Sequence, residues 1–155
     1  MEKTNVMRVL DKLGVEYVPH EVAGMPTDGQ KVAELLGVDP CSVFKTLVTE
    51  SSDLGHYVFV IPVCSTLDLK KAAKAAGVKS LSMLKQKDLL PLTGYVHGGC
   101  SPIGMKKPFP TVLDETALLF EKIFFSAGKI GCQVELSPSV LTDRFGATID
   151  DLTLY

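Results

Sequence analysis

The chain has 155 residues, a net charge of −2 and 46% hydrophobic residues, values typical of an ordinary globular domain. This length fits one domain, and we predict that a single domain spans residues 1–155. The composition excludes a disordered tail or a collagen-like repeat, and no apolar run reaches the ~20 residues that a bilayer span needs. The N-terminal residues lack the apolar segment of a signal peptide, so we expect a cytoplasmic protein without a membrane partner.

Hydrophobic periodicity and capping residues divide the chain into helices and strands. Pro19 lies in the first strand-like segment and favours an edge position or a bulge, because proline cannot donate to a sheet ladder. In the first half we predict a helix over 3–13, a strand over 15–22, a helix capped by Thr27 or Asp28 and ended by Gly37, and strands over 43–50 and 56–63. In the second half we predict helices over 69–76 and 84–90, a strand and tight loop within 93–107, strands over 111–114 and 122–126 around a helical turn, a hairpin strand over 132–136, and a helix from Ser137 through Phe145.

The order of these elements predicts the fold class. Helices and strands do not alternate as regular βαβ units, so we expect a mixed α/β fold of the α+β type. About six strands would form one mixed sheet, with four or five helices around it. No internal repeat or low-complexity linker divides the chain.

The cysteines do not have the spacing of a metal site or of a disulfide framework. A structural zinc site normally has two close ligand pairs, and only His97 lies within three positions of any cysteine. We therefore predict no metal, no cofactor and no disulfide scaffold, and we expect reduced, mostly buried thiols. The four cysteines are Cys41, Cys64, Cys100 and Cys132.

Positive charge is concentrated in one part of the chain. Residues 70–107 carry eight lysines and one acidic residue, a local charge of +7, whereas the rest of the chain carries −9. Such asymmetry indicates a side that faces phosphates, and solvated lysines on surface helices are the alternative interpretation. The chain has no Trp and 7% aromatic residues, so it lacks the stacking platform of single-strand binders.

A lysine interrupts the apolar strand over 43–50. Both faces of this strand are apolar except at Lys45 and Thr46, so we expect the strand to be covered on both sides. Burying an unpaired ammonium costs several kcal/mol. Lys45 therefore either extends its stem under a loop to reach water or projects into a pocket toward a phosphate or carbonyl group.

Two small-residue segments could gather backbone donors around an anion. The segment 94–104 contains Gly98, Gly99 and Gly104 together with Pro102, which lets main-chain N–H groups converge without obstructing side chains. It lacks the spacing of a Walker A or dinucleotide motif, and a plain hairpin turn is the alternative. The turn 126–129 adds a hydroxyl and further backbone donors.

The sequence contains no convincing protein nucleophile. It has no G-x-S-x-G motif, and its three histidines lack a local carboxylate-and-nucleophile arrangement. Cys100, between Gly99 and Ser101, is a candidate thiol nucleophile, and a packing role is the simpler interpretation.

Four blocks together resemble the YbaK/EbsC family, the free-standing relatives of the editing domain of bacterial prolyl-tRNA synthetases. In this order, the blocks are FKTLV at 44–48, LDLKKAA at 67–73, GYVHGGCSPIGMKK at 94–107 and SAGKIG at 126–131. The resemblance runs from about residue 5 to residue 150. It implies one domain on a curved mixed sheet of six or seven strands, with an aminoacyl-tRNA deacylase pocket.

The resemblance also implies roles for particular residues. The lysine matched by Lys45 contacts the aminoacyl-adenosine end of the tRNA in the family. The element from Gly98 to Pro102 shapes the aminoacyl pocket through its backbone, and the serine matched by Ser126 lies nearby. We accordingly predict catalytic roles for Lys45, Gly98, Gly99 and Ser126, and substrate-binding roles for His20, Val22, Thr46, Pro102, Gly104, Gly128 and Gln133.

Members similar to this chain clear cysteine mischarged onto the proline tRNA. They are thought to use the thiol of the substrate as the nucleophile, which agrees with the missing triad. We therefore expect a deacylase for Cys-tRNA(Pro), extending to Cys-tRNA(Cys). Two departures bear on this specificity, because Val22 replaces a tyrosine of well-known members and Gln133 replaces an aspartate of some members.

Several alternatives stay open at this point. The chain could be a non-catalytic module that binds aminoacyl-tRNA or a synthetase, a deacylase for another small amino acid, or a thiol redox protein centred on Cys100. The expected partners are tRNA(Pro) and tRNA(Cys), with prolyl-tRNA synthetase as a further candidate and a monomer or weak dimer as the oligomeric state. The predicted tRNA-binding residues are Lys70, Lys71, Lys74, Lys106 and Lys107.

Overall fold

The computed structural model describes residues 1–154 and contains five α-helices and eight strands. The helices are α1 (Asn5–Leu13), α2 (Gly29–Leu36), α3 (Leu69–Ala76), α4 (Gln86–Thr93) and α5 (Ser139–Phe145). The strands are β1 (Val18–Glu21), β2 (Phe44–Ser51), β3 (His56–Pro62), β4 (Leu81–Met83), β5 (Thr111–Asp114), β6 (Ile123–Ser126), β7 (Cys132–Leu136) and β8 (Thr148–Asp150). Two short 3-10 turns, Pro40–Ser42 and Glu115–Leu119, precede β2 and β6.

The strands form two sheets that meet at one bridge. One sheet has the order β1–β7–β6 and is antiparallel, and the other has the order β4–β2–β3–β5–β8 and is mixed. A parallel bridge between Val43 and Phe124 links the two. The predicted mixed α/β class is confirmed, and the expected single sheet of six or seven strands is divided into two sheets of three and five.

Helix ends follow the local sequence signals in α2 and α3. The predicted end of α4 at residue 90 is wrong, because the helix continues through Pro91 to Thr93 and ends at the left-handed Gly94. Asp28 accepts the Gln30 N–H at 3.1 Å, and Asp68 accepts the Lys70 N–H at 2.9 Å, so each carboxylate satisfies a free donor of the first turn. Gly37, which ends α2, adopts a left-handed conformation (φ +70°) that costs glycine little. The predicted edge position of Pro19 is also confirmed, because β1 pairs with β7 alone among the described strands.

The segment 93–107 differs from its predicted strand and loop. It folds as a series of turns, in which the Lys106 N–H donates to the Thr93 carbonyl and the Tyr95 hydroxyl donates to the Ile103 carbonyl. These internal bonds replace those that a neighbouring strand would supply. The prediction of a strand there is therefore wrong.

The two faces of β6 carry different side chains and lead to different surroundings. Ile123 and Phe125 are fully buried in the main core, together with residues of α1 and α5. Phe124 and Ser126 point to the opposite face, as the period-two alternation of a strand requires. That face borders the cavity described next.

Candidate active site

A small cavity lies at a gap along the edge of β2. On this side of β2, β4 pairs only with Thr49–Ser51, and β6 reaches this edge only through the bridge to Val43, the residue before β2. Within the described part of the chain, no strand pairs with this edge at residues 45–47. A cavity of about 140 Å³ occupies the gap. Its walls come from β2, the start of α2, the loop at 97–100 and the ends of β6 and β7.

Lys45 lines this cavity as a half-buried cation. Its ammonium makes no hydrogen bond or ion pair with any residue among 1–154. A half-buried ammonium without a carboxylate partner favours an anionic or carbonyl oxygen from a ligand. Of the two alternatives for Lys45, its place in the lining fits the pocket, and its catalytic role stays a prediction.

Two other residues that line this cavity have buried polar atoms without partners. These atoms are Thr46 Oγ1 and Gln133 Oε1. Among residues 1–154, no other buried side-chain oxygen or nitrogen lacks a hydrogen-bond partner. Both residues line the same cavity. Leaving a buried polar group unsatisfied costs about 1–3 kcal/mol, so the arrangement fits a ligand that supplies hydrogen-bonding groups here.

Gln133 is held between two other predicted site residues by strand pairing. It lies opposite Ser126 on β6 and opposite His20 on β1, so the three side chains share one face of the sheet. Ser126 Oγ accepts the Gly128 N–H at 3.1 Å. His20 Nε2 lies 2.9 Å from Glu135 Oε1, so the imidazole is turned toward this carboxylate and does not line the cavity.

Gly98 forms the side of the cavity that faces Thr27. Its φ is +85°, and a Cβ built on it would lie 2.8 Å from Thr27 Cβ. Its N–H makes no hydrogen bond within the described residues, so it is available to an oxyanion. The Gly99 N–H instead donates to the Val96 carbonyl at 3.0 Å. Of the two predicted glycine donors, the structure leaves only Gly98 available.

Cys100 lines the cavity but has the properties of a core residue. Burial raises the pKa of its thiol to about 12, so the thiol stays protonated at neutral pH. The thiolate is the nucleophilic form of cysteine. The burial and the protonated state of this thiol therefore argue against Cys100 as a nucleophile.

We expect Cys100→Ala to retain most of the deacylation activity proposed below. The reason is that a buried, protonated thiol supplies packing rather than chemistry. Initial rates with Cys-tRNA(Pro), measured beside a thermal unfolding curve, test this expectation. A collapse of turnover at unchanged stability would show that the thiol of the enzyme takes part.

Six of the predicted site residues lie outside the lining of this cavity, His20 and Gly99 among them. Pro102 and Gly104 line a second cavity of about 200 Å³ beside Phe109 and Phe145. Val22 is buried against Phe124 in a satellite core, and Gly128 lies against Tyr95. The structure thus brings together Lys45, Thr46, Gly98, Ser126 and Gln133, and it places His20, Val22, Gly99, Pro102, Gly104 and Gly128 around or away from them.

Several residues that line the cavity were not predicted from the sequence. Thr27 was identified only as a possible helix cap, although it contacts Gly98 and forms part of the wall. His97 was noted as a histidine without a partner, and it too lines the cavity. The other lining residues not predicted are Gly29, Val32, Val43, Phe44, Leu47, Val63 and Leu89.

Four of the five predicted tRNA-binding lysines are exposed: Lys70, Lys74, Lys106 and Lys107. Lys71 differs, because its ammonium donates to Asp151 Oδ2 at 2.9 Å and to the Thr153 carbonyl at 2.8 Å. This lysine therefore attaches α3 to the C-terminal segment.

The described residues offer neither a membrane span nor a metal centre. No helix within 1–154 is long and apolar enough to cross a bilayer. In the same range, no group of three or more His, Cys, Asp or Glu side chains could hold a metal ion.

Comparison with known proteins assigns the family. The aminoacyl-tRNA editing domain family matches residues 27–143, which include every residue that lines the cavity. The chain belongs to the aminoacyl-tRNA editing domain family. The boundaries 1–155 for a single domain stay a prediction.

A relative from Enterococcus faecalis is 46% identical over 154 residues, covering 98% of this chain and 94% of its own length. Its name, EbsC, is given with the description Cys-tRNA(Pro)/Cys-tRNA(Cys) deacylase. The resemblance to the YbaK/EbsC family is thereby confirmed.

Solved structures agree with this assignment. One, described as a trans-editing enzyme for prolyl tRNA synthetase, is 25% identical with a TM-score of 0.84 and full coverage of both chains. Another, the hypothetical protein APE2540, is 25% identical with a TM-score of 0.91 and covers 97% of this chain and 100% of its own.

Proposed function

We propose that the chain is an aminoacyl-tRNA deacylase that clears cysteine from Cys-tRNA(Pro), and also from Cys-tRNA(Cys). The observation that carries this proposal is one cavity that is lined by Lys45, an ammonium without a hydrogen bond or ion pair among residues 1–154, and by Thr46 and Gln133, whose buried Oγ1 and Oε1 atoms lack partners. The description given to the Enterococcus faecalis relative supports the substrate.

The size of the cavity favours a small aminoacyl group. Its volume of about 140 Å³ is well below the ~300–1,000 Å³ of pockets that hold larger small molecules. A cysteinyl group fits such a space, while the adenosine and the rest of the tRNA stay outside it. Apolar contacts from Val43 and Val63 suit the side-chain end of the substrate.

The polar atoms divide between the two ends of the aminoacyl ester. Gln133 Oε1 and Thr46 Oγ1 can accept hydrogen bonds from the α-ammonium group, which carries only donors. The Gly98 N–H and the Lys45 ammonium then face the ester carbonyl, where negative charge develops during attack. A neutral glutamine binds this ammonium without the charge that a carboxylate would add.

The substrate supplies the nucleophile in this proposal. The cysteinyl thiol attacks its own ester carbonyl, the new C–S bond forms, and the C–O bond to the ribose breaks. The thiol proton ends on the ribose hydroxyl, and the cysteine leaves as a thiolactone that water opens. Because nucleophile and carbonyl belong to one molecule, positioning and oxyanion stabilisation are the tasks left to the protein.

A panel of charged tRNAs tests the proposal. The chain is incubated with tRNA(Pro) carrying cysteine, alanine or proline, and loss of the ester is followed with time. We expect only the cysteinyl ester to disappear faster than it does in buffer. Binding of all three without turnover would instead support the non-catalytic alternative.

We further propose that the exposed lysines position the acceptor stem. Lys106 and Lys107 follow the glycine loop, and Lys70 and Lys74 lie one turn apart on α3. Phosphate contacts of this kind position a nucleic acid without reading its sequence. Selection of tRNA(Pro) would then come from a partner protein, for which prolyl-tRNA synthetase is the candidate. We also propose that the activity takes place in the cytoplasm.

Replacing Lys106 and Lys107 together by alanine is expected to flatten the salt dependence of tRNA binding. Each phosphate contact contributes a slope of about −0.7 to −0.9 on a log–log plot, so the double variant should lose roughly one to two units. Binding titrations over a range of salt concentrations measure this slope. Turnover of a minimal aminoacyl-adenosine should stay unchanged, and an unaltered slope would show that the stem approaches from another side.

A further inference from the structure

Two cysteines that are far apart in sequence meet on the surface of the protein. Cys41 and Cys64 are both exposed, and their Sγ atoms lie 3.0 Å apart. The expectation of mostly buried thiols is therefore wrong for this pair, although Cys100 and Cys132 are buried as expected. The spacing of the cysteines in the sequence did not predict this contact, because the contact depends on how β2 and β3 pair.

The fold brings this pair together through the antiparallel pairing of β2 with β3. Cys41 lies in the 3-10 turn Pro40–Ser42 before β2, and Cys64 follows the end of β3. The pairing extends past the strand ends, since the Val63 N–H donates to the Val43 carbonyl at 2.8 Å. The two thiols are thus held next to each other by the backbone of a well-paired hairpin.

We propose that Cys41 and Cys64 form a reversible disulfide by exchange with low-molecular-weight disulfides such as oxidised glutathione. One protein thiolate attacks a sulfur of the external disulfide and releases one thiol, which leaves a mixed disulfide. The second protein thiolate then attacks the protein sulfur of this intermediate and releases the other thiol. Two electrons pass to the external disulfide, and the two protons of the protein thiols end on the released thiols.

The contact between the two sulfurs affects their ionisation. The hydrogen bond to Cys64, together with partial burial, raises the pKa of Cys41 to about 12, so this contact favours the protonated thiol. Either sulfur can make the first attack. Once one of them carries the mixed disulfide, the hydrogen bond between the thiols is gone, and the remaining thiol can ionise and complete the exchange.

The disulfide would connect two segments of the cavity wall. Val43 and Val63, which lie beside the pair in the chain, both line the candidate active site. A Cβ on Gly29 would lie 2.3 Å from Val63 Cγ1, so this wall is closely packed against the start of α2. The bond would also restrict the unfolded chain between residues 41 and 64. Oxidation should therefore raise the Tm by roughly 5 °C or more.

Equilibration with mixtures of reduced and oxidised glutathione tests the proposal on the full chain. Samples are quenched in acid, unfolded, alkylated and measured by mass spectrometry. We expect the wild-type protein to lose two hydrogen atoms in a single two-electron transition, with alkylation retained at Cys100 and Cys132 and lost at Cys41 and Cys64. The Cys41→Ser variant should instead keep one glutathione on Cys64, because the second attack is impossible.

The Cys100→Ala variant serves as the matched control and should oxidise like the wild type. Two results would overturn the proposal. One is a wild-type protein that keeps four alkylatable thiols at every glutathione ratio. The other is a wild-type protein that accumulates a stable glutathione adduct without losing two hydrogen atoms. The proposal does not rest on the proposed function, since neither readout involves tRNA.

Discussion

The Lys45→Ala variant is expected to lose at least two to three orders of magnitude in the rate of cysteinyl-tRNA deacylation, while keeping its fold. Lys45 is a half-buried cation with no partner among residues 1–154, and it faces a cavity with two other unpartnered polar atoms. Removing one preorganised group that stabilises a developing oxyanion typically costs 10²–10³ in kcat. Single-turnover rates with Cys-tRNA(Pro) measure the loss, and a thermal unfolding curve checks the fold.

A matched lysine variant separates the site from a general charge effect. Lys12 lies in the last turn of α1, is exposed and does not line the cavity. Lys12→Ala removes the same charge and should leave the rate unchanged. If Lys45→Ala retained the wild-type rate, Lys45 would have no part in the reaction.

The Gly98→Ala variant is expected to lose most of its activity for a steric reason. Gly98 has a φ of +85°, and an added Cβ would lie 2.8 Å from Thr27 Cβ and 2.9 Å from Thr27 Cα. The left-handed conformation alone costs about 1–2 kcal/mol for a residue with a side chain. The collision must also displace the loop or Thr27, which moves the Gly98 N–H away from the ester carbonyl. Deacylation rates and thermal unfolding measure the two effects.

Gly37→Ala is the control that isolates the backbone effect. Gly37 also adopts a left-handed conformation (φ +70°), but no atom lies within 4 Å of its added Cβ. This variant should lose only the stability cost of the left-handed conformation, about 1–2 kcal/mol, and keep the deacylation rate. Equal rates for Gly98→Ala and the wild type would contradict the role of this loop in the site.

Local signals in the sequence were enough to predict where α2 and α3 begin and end, whereas they failed at Pro91, which lies inside α4. Asp28 and Asp68 cap α2 and α3 through bonds to N–H groups two residues away, so the information lies within one turn. The three-residue strands β4 and β8 were not predicted, because each depends on a neighbour distant in the chain. The turns of 93–107 depend on a hydrogen bond from the Tyr95 hydroxyl to the Ile103 carbonyl, which hydrophobic periodicity does not predict.

The candidate site was predictable where a single segment carries it. Lys45 interrupts an apolar strand, and that pattern predicted either a stem that reaches water or a pocket. The contact between Thr27 and Gly98, and the alignment of His20, Gln133 and Ser126, depend on strand pairing and loop packing over long distances. Resemblance to a family named some of these positions, whereas the unpartnered oxygens of Thr46 and Gln133 became visible only in three dimensions.

The most direct test of the proposed chemistry compares two esters that differ in one atom. tRNA(Pro) is charged with cysteine or with serine, and the release of each amino acid is followed under single-turnover conditions. Since the substrate thiol is the proposed nucleophile, we expect rapid loss of the cysteinyl ester and loss of the seryl ester at the rate in buffer alone. Equal loss of both esters would contradict this mechanism, because it would require a water molecule or a protein group as the nucleophile.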